Sequence, residues 1–193
     1  MLRVARVAIS DNDVEIEGEF AEFFDFLDNN GGLTEEFLYQ HQPDAGQAIA
    51  VYATSPDPIG HLSRATAQEF GKTVLEGPVI VVARKGYAGR LFVVEDSHLI
   101  VQEDAYAVRP KPGYRDRINL NWFAAHYSDE FQSFRTSIDG IGDFPRMMLK
   151  SRRIRIPSLR VQIRIANLYQ RRTRLLEEMA DFESKIEQRI LSS

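Results

Sequence analysis

A long amphipathic segment at residues 159–191 constrains the fold of this chain more than any other feature. Apolar side chains recur along it at alternating spacings of four and three residues, which is the period of a coiled-coil seam. Neither proline nor glycine interrupts the segment, and Pro157 and Ser158 precede it as a helix start signal. The apolar seam positions are Val161, Ile165, Leu168, Leu175, Met179, Phe182 and Ile186.

We predict one long helix that uses this seam to contact a partner. At 1.5 Å per residue the helix would extend about 50 Å, which exceeds what a compact domain of this size needs. The alternative is a terminal helix that folds back on its own domain. A core helix usually shows a wider apolar stripe and rarely keeps a heptad pattern over this length, so the partner-docking interpretation is favoured.

Length and cysteine usage bound the class of protein. The 193 residues allow one globular domain at residues 1–156, followed by the helix at 157–193. The sequence contains no cysteine, which excludes disulfides, zinc–thiolate sites and cysteine nucleophiles and suits a reducing compartment. It shows neither the apolar core of a signal peptide nor a run near the roughly 20 residues that span a bilayer. We therefore expect a cytoplasmic protein.

The order of the predicted elements indicates an α+β fold. Short strands and a few helices follow one another without regular alternation, so we predict a mixed, twisted sheet with a few packed helices, followed by the long coiled-coil helix. Residues 77–83 form the most strand-like run and, with Leu91–Val94, flank a glycine-containing loop, which predicts a hairpin. We also predict a strand at residues 4–9, a helix at 19–29, a helix at 120–134 and a polar loop at 137–144.

The sequence lacks the common catalytic and metal-binding motifs. Its four histidines lie far apart, and none has the i, i+4 partner that a helical metal site uses. There is no phosphate-binding P-loop, no nucleophile elbow and no dinucleotide-binding glycine motif. We therefore expect no metal site, no cofactor and no catalytic residue in this chain, and a binding role becomes the leading class of function.

Basic and aromatic residues concentrate in loops at the ends of strands and helices. Glycines at residues 84–90 let the backbone approach a ligand, and arginine, lysine and tyrosine side chains suit phosphates, sugars and bases. An ordinary solvated surface explains each residue taken alone, but three such clusters favour a binding surface. The candidate binding residues are Arg84, Lys85, Tyr87 and Arg90 in the first cluster, Lys111, Tyr114, Arg115 and Arg117 in the second, and Arg135, Arg146 and Lys150 in the third.

Residues 154–166, with the sequence IRIPSLRVQIRIA, carry the clearest resemblance to a known family. They resemble the I-x-I-P-x-L-x-x-Q-x-x-I-A helix start of type I restriction-modification specificity subunits. Weaker matches in the same order are residues 32–39, Ala50–Tyr52 with Thr54, Ser55 and Gly60, the strand and loop at 79–89, and Gly140–Gly142. Over most of its length the chain resembles a single target-recognition half of such a subunit.

The resemblance implies a non-catalytic subunit that reads DNA sequence. The globular domain is then similar to the target-recognition domain of adenine-N6 methyltransferases, and the three clusters would contact bases and backbone phosphates of double-stranded DNA. Family members hold two such halves in one chain and this sequence shows one, so we expect a homodimer in which two copies pair through antiparallel helices. The same helices would bind methyltransferase subunits, which hold S-adenosylmethionine, and nuclease subunits could join them.

An uneven distribution of charge supplies the rival interpretation. Residues 1–45 contain 11 acidic and two basic residues, whereas residues 150–193 contain five acidic and 11 basic ones. A DNA-binding surface is usually basic, so we expect the acidic N-terminal segment to lie away from DNA or against a partner. The alternative function is a non-catalytic dimeric interaction module, a regulator or DNA mimic, that uses this acidic face to bind a basic partner.

Overall fold

The computed structural model describes residues 8–44, 48–138 and 141–191. Two short 3-10 helices, Asp11–Asp13 and Pro112–Tyr114, accompany the main elements. In chain order these are β1 (Val14–Glu19), α1 (Phe20–Phe23), β2 (Phe24–Phe26), α2 (Glu35–Gln40), β3 (Ala48–Tyr52), β4 (Gly60–Ser63), α3 (Arg64–Glu69), β5 (Leu75–Glu76), β6 (Val79–Ala83), β7 (Leu91–Val94), β8 (His98–Val101), β9 (Ala105–Pro110), α4 (Leu120–Ser133), β10 (Thr136–Ile138), β11 (Ile141–Asp143), α5 (Arg146–Lys150), β12 (Arg153–Pro157) and α6 (Leu159–Leu191).

Two four-stranded sheets pack face to face because their central strands are apolar on both sides. The first sheet is antiparallel with the order β2-β9-β6-β7, and the second has the order β4-β3-β8-β5 with β3 parallel to β8. In β6, Val79 and Val81 lie in the core between the sheets, while Ile80 and Val82 face the helices. Helices α4 and α6 cover the outer face of the first sheet, and the short α2 and α3 cover that of the second.

Helix α4 covers the first sheet with an aromatic face and holds one loop in place. Its buried residues Trp122, Phe123 and Phe131 recur at helical spacing, and the Asn119 side chain caps its start by accepting a hydrogen bond from the Trp122 N–H at 2.8 Å. The loop between β6 and β7 lies against the last turn, because a Cβ on Gly89 would come within 2.6 Å of the Phe131 carbonyl. Glycine is required for this close approach.

The first turns of α6 belong to the globular core. Ile165 is only 4% exposed, and Ala166 is buried beside it. Gln162 is fully buried: its amide donates to the carbonyls of Arg117 at 2.7 Å and Pro157 at 2.8 Å, and its side-chain oxygen accepts from the Asn119 N–H at 2.7 Å. The glutamine, isoleucine and alanine of the 154–166 motif thus anchor the helix on the domain.

The structure confirms several predictions from periodicity. The long helix, the helix at 120–134 and the β6–β7 hairpin are all present. The α+β class is also confirmed, with the strands divided between two four-stranded sheets and the two-stranded ribbons β1–β12 and β10–β11.

Two predicted elements were wrong. The helix predicted at 19–29 ends at Phe23, because Phe24–Phe26 pairs with β9 and adds an edge to the first sheet, and aromatic residues fit a strand as well as a helix. The polar loop predicted at 137–144 contains the β10–β11 hairpin, whose short strands show no apolar alternation to reveal them. The strand predicted at 4–9 lies mostly outside the described residues.

Candidate nucleic-acid interface

The loop at residues 84–90 presents an aromatic side chain and three basic ones at one end of the first sheet. Hydrogen bonds from the Ala83 N–H to the Arg90 carbonyl at 2.9 Å and from the Gly89 N–H to the Ala83 carbonyl at 2.8 Å close it. Gly86 and Gly89 adopt positive φ angles of 63° and 85°, which other residues rarely adopt. Tyr87 is 60% exposed, and the Arg90 guanidinium lies 5.6 Å from the centre of its ring.

The β10–β11 hairpin lies beside this loop. The Phe144 N–H donates to the Arg84 carbonyl at 2.8 Å, and Lys85 and Asp143 form an isolated antiparallel bridge. A Cβ on Gly142 would come within 2.8 Å of the Gly86 carbonyl and 3.6 Å of the Arg135 side chain. The hairpin therefore brings Arg135 to the same end of the molecule as the loop.

Arg146 and Lys150, both on α5, extend this surface across Phe26. The Arg146 guanidinium lies 4.5 Å and the Lys150 ammonium 5.6 Å from the centre of the Phe26 ring. Tyr106 packs edge-on against Phe26 with ring centres 6.1 Å apart. Burial raises the pKa of the Tyr106 phenol, although Arg84 and Arg146 act in the opposite direction, so the hydroxyl remains a neutral donor.

These contacts bring the first and third predicted clusters together on one surface. Tyr106 pairs with Val82 in the sheet, two residues before Arg84, so α5 and the loop at 84–90 meet at the same sheet end. We call this surface the basic–aromatic face. Its predicted members are Arg84, Lys85, Tyr87, Arg90, Arg135, Arg146 and Lys150.

The second predicted cluster lies elsewhere and makes contacts within the domain. Strand β9 separates it by about 17 Å from the loop at 84–90, since Ala105 pairs beside that loop and Pro110 pairs at the opposite end. The contacts are a hydrogen bond from Lys111 Nζ to the Ala21 carbonyl at 2.7 Å, an edge-on packing of Tyr114 on Phe23 at 5.0 Å and an ion pair of Arg117 with Glu15 at 3.9 Å. Arg115 is exposed.

Acidic residues near the N-terminus pair with basic residues of the C-terminal half. On the β1–β12 ribbon, Arg153 contacts Glu17 at 2.8 Å and Arg155 forms an ion pair with Asp11. Glu15 meets Arg117, as described above. Three of the 11 acidic residues at 1–45 are therefore opposed by cations of the same chain.

The helix seam divides into an anchored part and an exposed part. Ile165 lies in the domain core and Val161 is half-buried against it, so both stabilise the domain itself. The five seam positions further along are exposed, with Phe182 at 65%. They are Leu168, Leu175, Met179, Phe182 and Ile186.

The described residues offer no obvious site for a metal ion. Within residues 8–44, 48–138 and 141–191, no three histidine, aspartate or glutamate side chains are grouped so that they could hold one. None of the helices in these ranges is long and apolar enough to cross a membrane.

Comparison with solved structures assigns the fold. The type I restriction-modification S subunit from M. genitalium matches with a TM-score of 0.59 at 14% identity, covering 91% of this chain and 43% of that one. The fold of this chain matches one half of a type I S subunit. A chain from a study of complex assembly and conformational transition of the type I system matches with a TM-score of 0.59 at 13% identity, covering 90% of this chain and 43% of that one. The HsdS subunit from Thermoanaerobacter tengcongensis matches with a TM-score of 0.56 at 14% identity, covering 89% of this chain and 40% of that one.

This chain therefore spans less than half the length of the S subunits that it resembles in fold. No protein-family model and no curated protein sequence matches it. The fold prediction made from the 154–166 motif is confirmed, although the overall sequence identity is low.

Four residues of the basic–aromatic face escaped the sequence analysis. Phe26 was attributed to a core helix, and Tyr106 lies in the middle of a strand pattern. Asp104 and Asp143 contact the loop at 84–90 from distant parts of the chain. No local pattern marks such residues, because pairing between remote segments brings them together.

Proposed function

We propose that this chain is a sequence-specific DNA-recognition unit of a type I restriction-modification system and carries no catalytic residue. The support is the basic–aromatic face, which combines exposed and half-buried cations with an exposed tyrosine on a fold shared with type I S subunits. Arginine and lysine are the residues that bind phosphates and read guanine, and aromatic rings pack on sugars and bases. Each half-site would be read by one such face.

The proposed roles differ between the loop and its surroundings. Arg84, Lys85, Tyr87 and Arg90 would contact base edges in the major groove, because their loop joins β6 to β7 at the end of the sheet and contains two glycines with positive φ angles. Arg135, Arg146 and Lys150 would bind backbone phosphates on either side. The second cluster lies far from the loop at 84–90 and contacts its own domain, so we leave it out of the proposed contact.

The proposed partners follow from the same role. Double-stranded DNA is the ligand, and methyltransferase subunits would supply methyl transfer with S-adenosylmethionine while this chain positions them. Nuclease subunits could join the same assembly. Binding of duplex DNA by the purified chain, with and without a co-expressed methyltransferase, tests the proposal, and absence of binding in both states would refute it.

Substitutions on the basic–aromatic face should separate phosphate contacts from base contacts. We expect Arg146→Ala to weaken binding to all duplexes and to flatten the slope of log affinity against log salt by about one unit. We expect Arg90→Ala to cost about 1–3 kcal/mol at one base-pair position only. Arg153→Ala, on the β1–β12 ribbon, is the control and should change neither quantity. Unaltered binding at low salt by both face variants would contradict the assignment.

We further propose that the exposed part of α6 pairs with the same helix of a second copy in antiparallel orientation. Residues 159–176 carry five arginines and no acid, whereas residues 177–191 carry five acids and two bases. Antiparallel pairing brings the unlike halves together, and parallel pairing would bring like halves together. The exposed seam supplies the apolar contact.

Charges placed on the seam should separate the copies. The double variant Leu168→Glu, Leu175→Glu puts four carboxylates into the paired helices of a dimer, and burial of unpaired charge is costly. We expect light scattering to give the monomer mass for this variant and the dimer mass for the unmodified chain. The double variant Gln170→Glu, Thr173→Glu, at exposed positions off the seam, provides the control. An unchanged dimer mass in the seam variant would refute the pairing.

The rival function, an acidic module that binds a basic partner, gains no support from the described contacts. Asp11, Glu15 and Glu17 all face arginines of the same chain. A DNA mimic needs acidic side chains that are free to meet a partner's cations. These ion pairs count against mimicry at three of the 11 acidic positions.

A further inference from the structure

Two carboxylates hold the first two cations of the loop at 84–90. Asp104 contacts Lys85 through both its main chain and its side chain. Its carbonyl accepts hydrogen bonds from the N–H groups of Arg84 at 2.8 Å and Lys85 at 3.3 Å, and its Oδ1 lies 3.0 Å from Lys85 Nζ. Asp143, on the β10–β11 hairpin, places its Oδ1 3.7 Å from Arg84 Nε. Two segments remote in sequence thus supply one counter-charge each.

One oxygen of each carboxylate is shielded from water, while both ion pairs as a whole are partly exposed. Among the described residues, the Oδ1 atoms of Asp104 and Asp143 are shielded from water and accept no hydrogen bond. The nearby cation offsets part of the cost of shielding that oxygen. Moving Arg84 or Lys85 away to a phosphate would take this partner from the carboxylate and bring a second negative charge close to it.

The Asp143 contact also orients the Arg84 guanidinium. Its Nε edge faces Asp143, and one terminal nitrogen makes only a long 3.5 Å contact with the Glu103 carbonyl. A guanidinium carries five N–H donors, so its terminal edge keeps donors for a ligand. A guanine edge in the major groove offers two acceptors that suit such a fork, whereas a phosphate would approach Asp143 and be repelled.

We infer that Asp143 and Asp104 are specificity-determining residues that position Arg84 and Lys85 for base edges and disfavour binding of phosphate at the same place. This inference rests on the proposed DNA-recognition function. Removing the Asp143 charge while keeping its shape should free Arg84 to contact phosphate. Affinity for arbitrary DNA then rises, and discrimination at one guanine falls.

Selection from a pool of duplexes with randomised sequence tests this inference. The full chain and its Asp143→Asn variant are each used to enrich bound duplexes, which are sequenced, and affinity for the unselected pool is measured separately. Asp104→Asn provides a second, independent variant. Glu17→Gln is the matched control, since it removes one paired carboxylate from the β1–β12 ribbon, away from the face. Thermal melting identifies any variant that fails to fold.

The outcomes distinguish this inference from the proposed function. We expect Asp143→Asn to lower the preference for guanine at one position by about fivefold or more and to bind the unselected pool more tightly, with Glu17→Gln unchanged. Recovery of the same motif with equal stringency by Asp143→Asn and Asp104→Asn would overturn the inference alone. Failure of the unmodified chain to enrich any motif would overturn the proposed function and this inference with it.

Discussion

Mixing a Leu168→Cys variant with an Ile186→Cys variant should give a disulfide-linked dimer that neither variant forms alone. In an antiparallel pair that places Leu175 opposite Met179 of the second copy, Leu168 lies opposite Ile186. Both side chains are exposed on the seam of α6. The chain contains no cysteine, so mild oxidation followed by denaturing electrophoresis reports these two positions without background.

The expected effect is all-or-none because of the length of the helix. Positions 168 and 186 of one helix are about 27 Å apart, so two identical positions in an antiparallel pair lie far beyond the roughly 6 Å between Cα atoms that a disulfide allows. A parallel pair would instead link each variant to itself. A Gln170→Cys variant mixed with Ile186→Cys is the control off the seam. Self-linking of the single variants would refute the antiparallel orientation.

Replacing Gln162 by leucine should lower the free energy of unfolding by about 3 kcal/mol or more. Leucine has a similar volume but leaves the carbonyls of Arg117 and Pro157 and the N–H of Asn119 without their partner in a buried place. For a chain of this size the melting temperature should fall by about 6–12 °C.

Gln170→Leu, at an exposed position of the same helix, is the matched control and should change stability by less than about 0.5 kcal/mol. Thermal and urea unfolding of both variants measure the difference. Equal melting of Gln162→Leu and the unmodified chain would mean that apolar contacts alone anchor the helix.

Elements with a strong hydrophobic period were predictable from the sequence. The heptad pattern identified α6, the continuous apolar run of β6 identified a central strand, and the aromatic spacing identified α4. Each signal is local, since a few consecutive turns or residues carry it. The motif at residues 154–166 pointed to the shared fold for a related reason, because Gln162, Ile165 and Ala166 are the residues that anchor the helix.

Features that depend on remote pairing were not predictable. Phe24 and Phe26 suit a helix or a strand equally, and only the open edge of β9 decides between them. The separation of Arg117 from Arg84 depends on the course of β9, which composition does not reveal. Clustering in sequence therefore could not reveal that the second basic cluster lies apart from the loop at 84–90, or that the first has acidic partners.

The hydrogen bonds of the buried Gln162 amide also affect the direction of the α6 axis relative to the domain. The helix leaves the core as one continuous rod, and Ile186 lies about 36 Å beyond Gln162 along its axis. A tilt of about 10° at the anchor would therefore displace Ile186 by about 6 Å, nearly two base-pair steps of a duplex. Under the proposed DNA-recognition function, three short hydrogen bonds at the base of the helix would therefore limit how far its distal end can move relative to the domain.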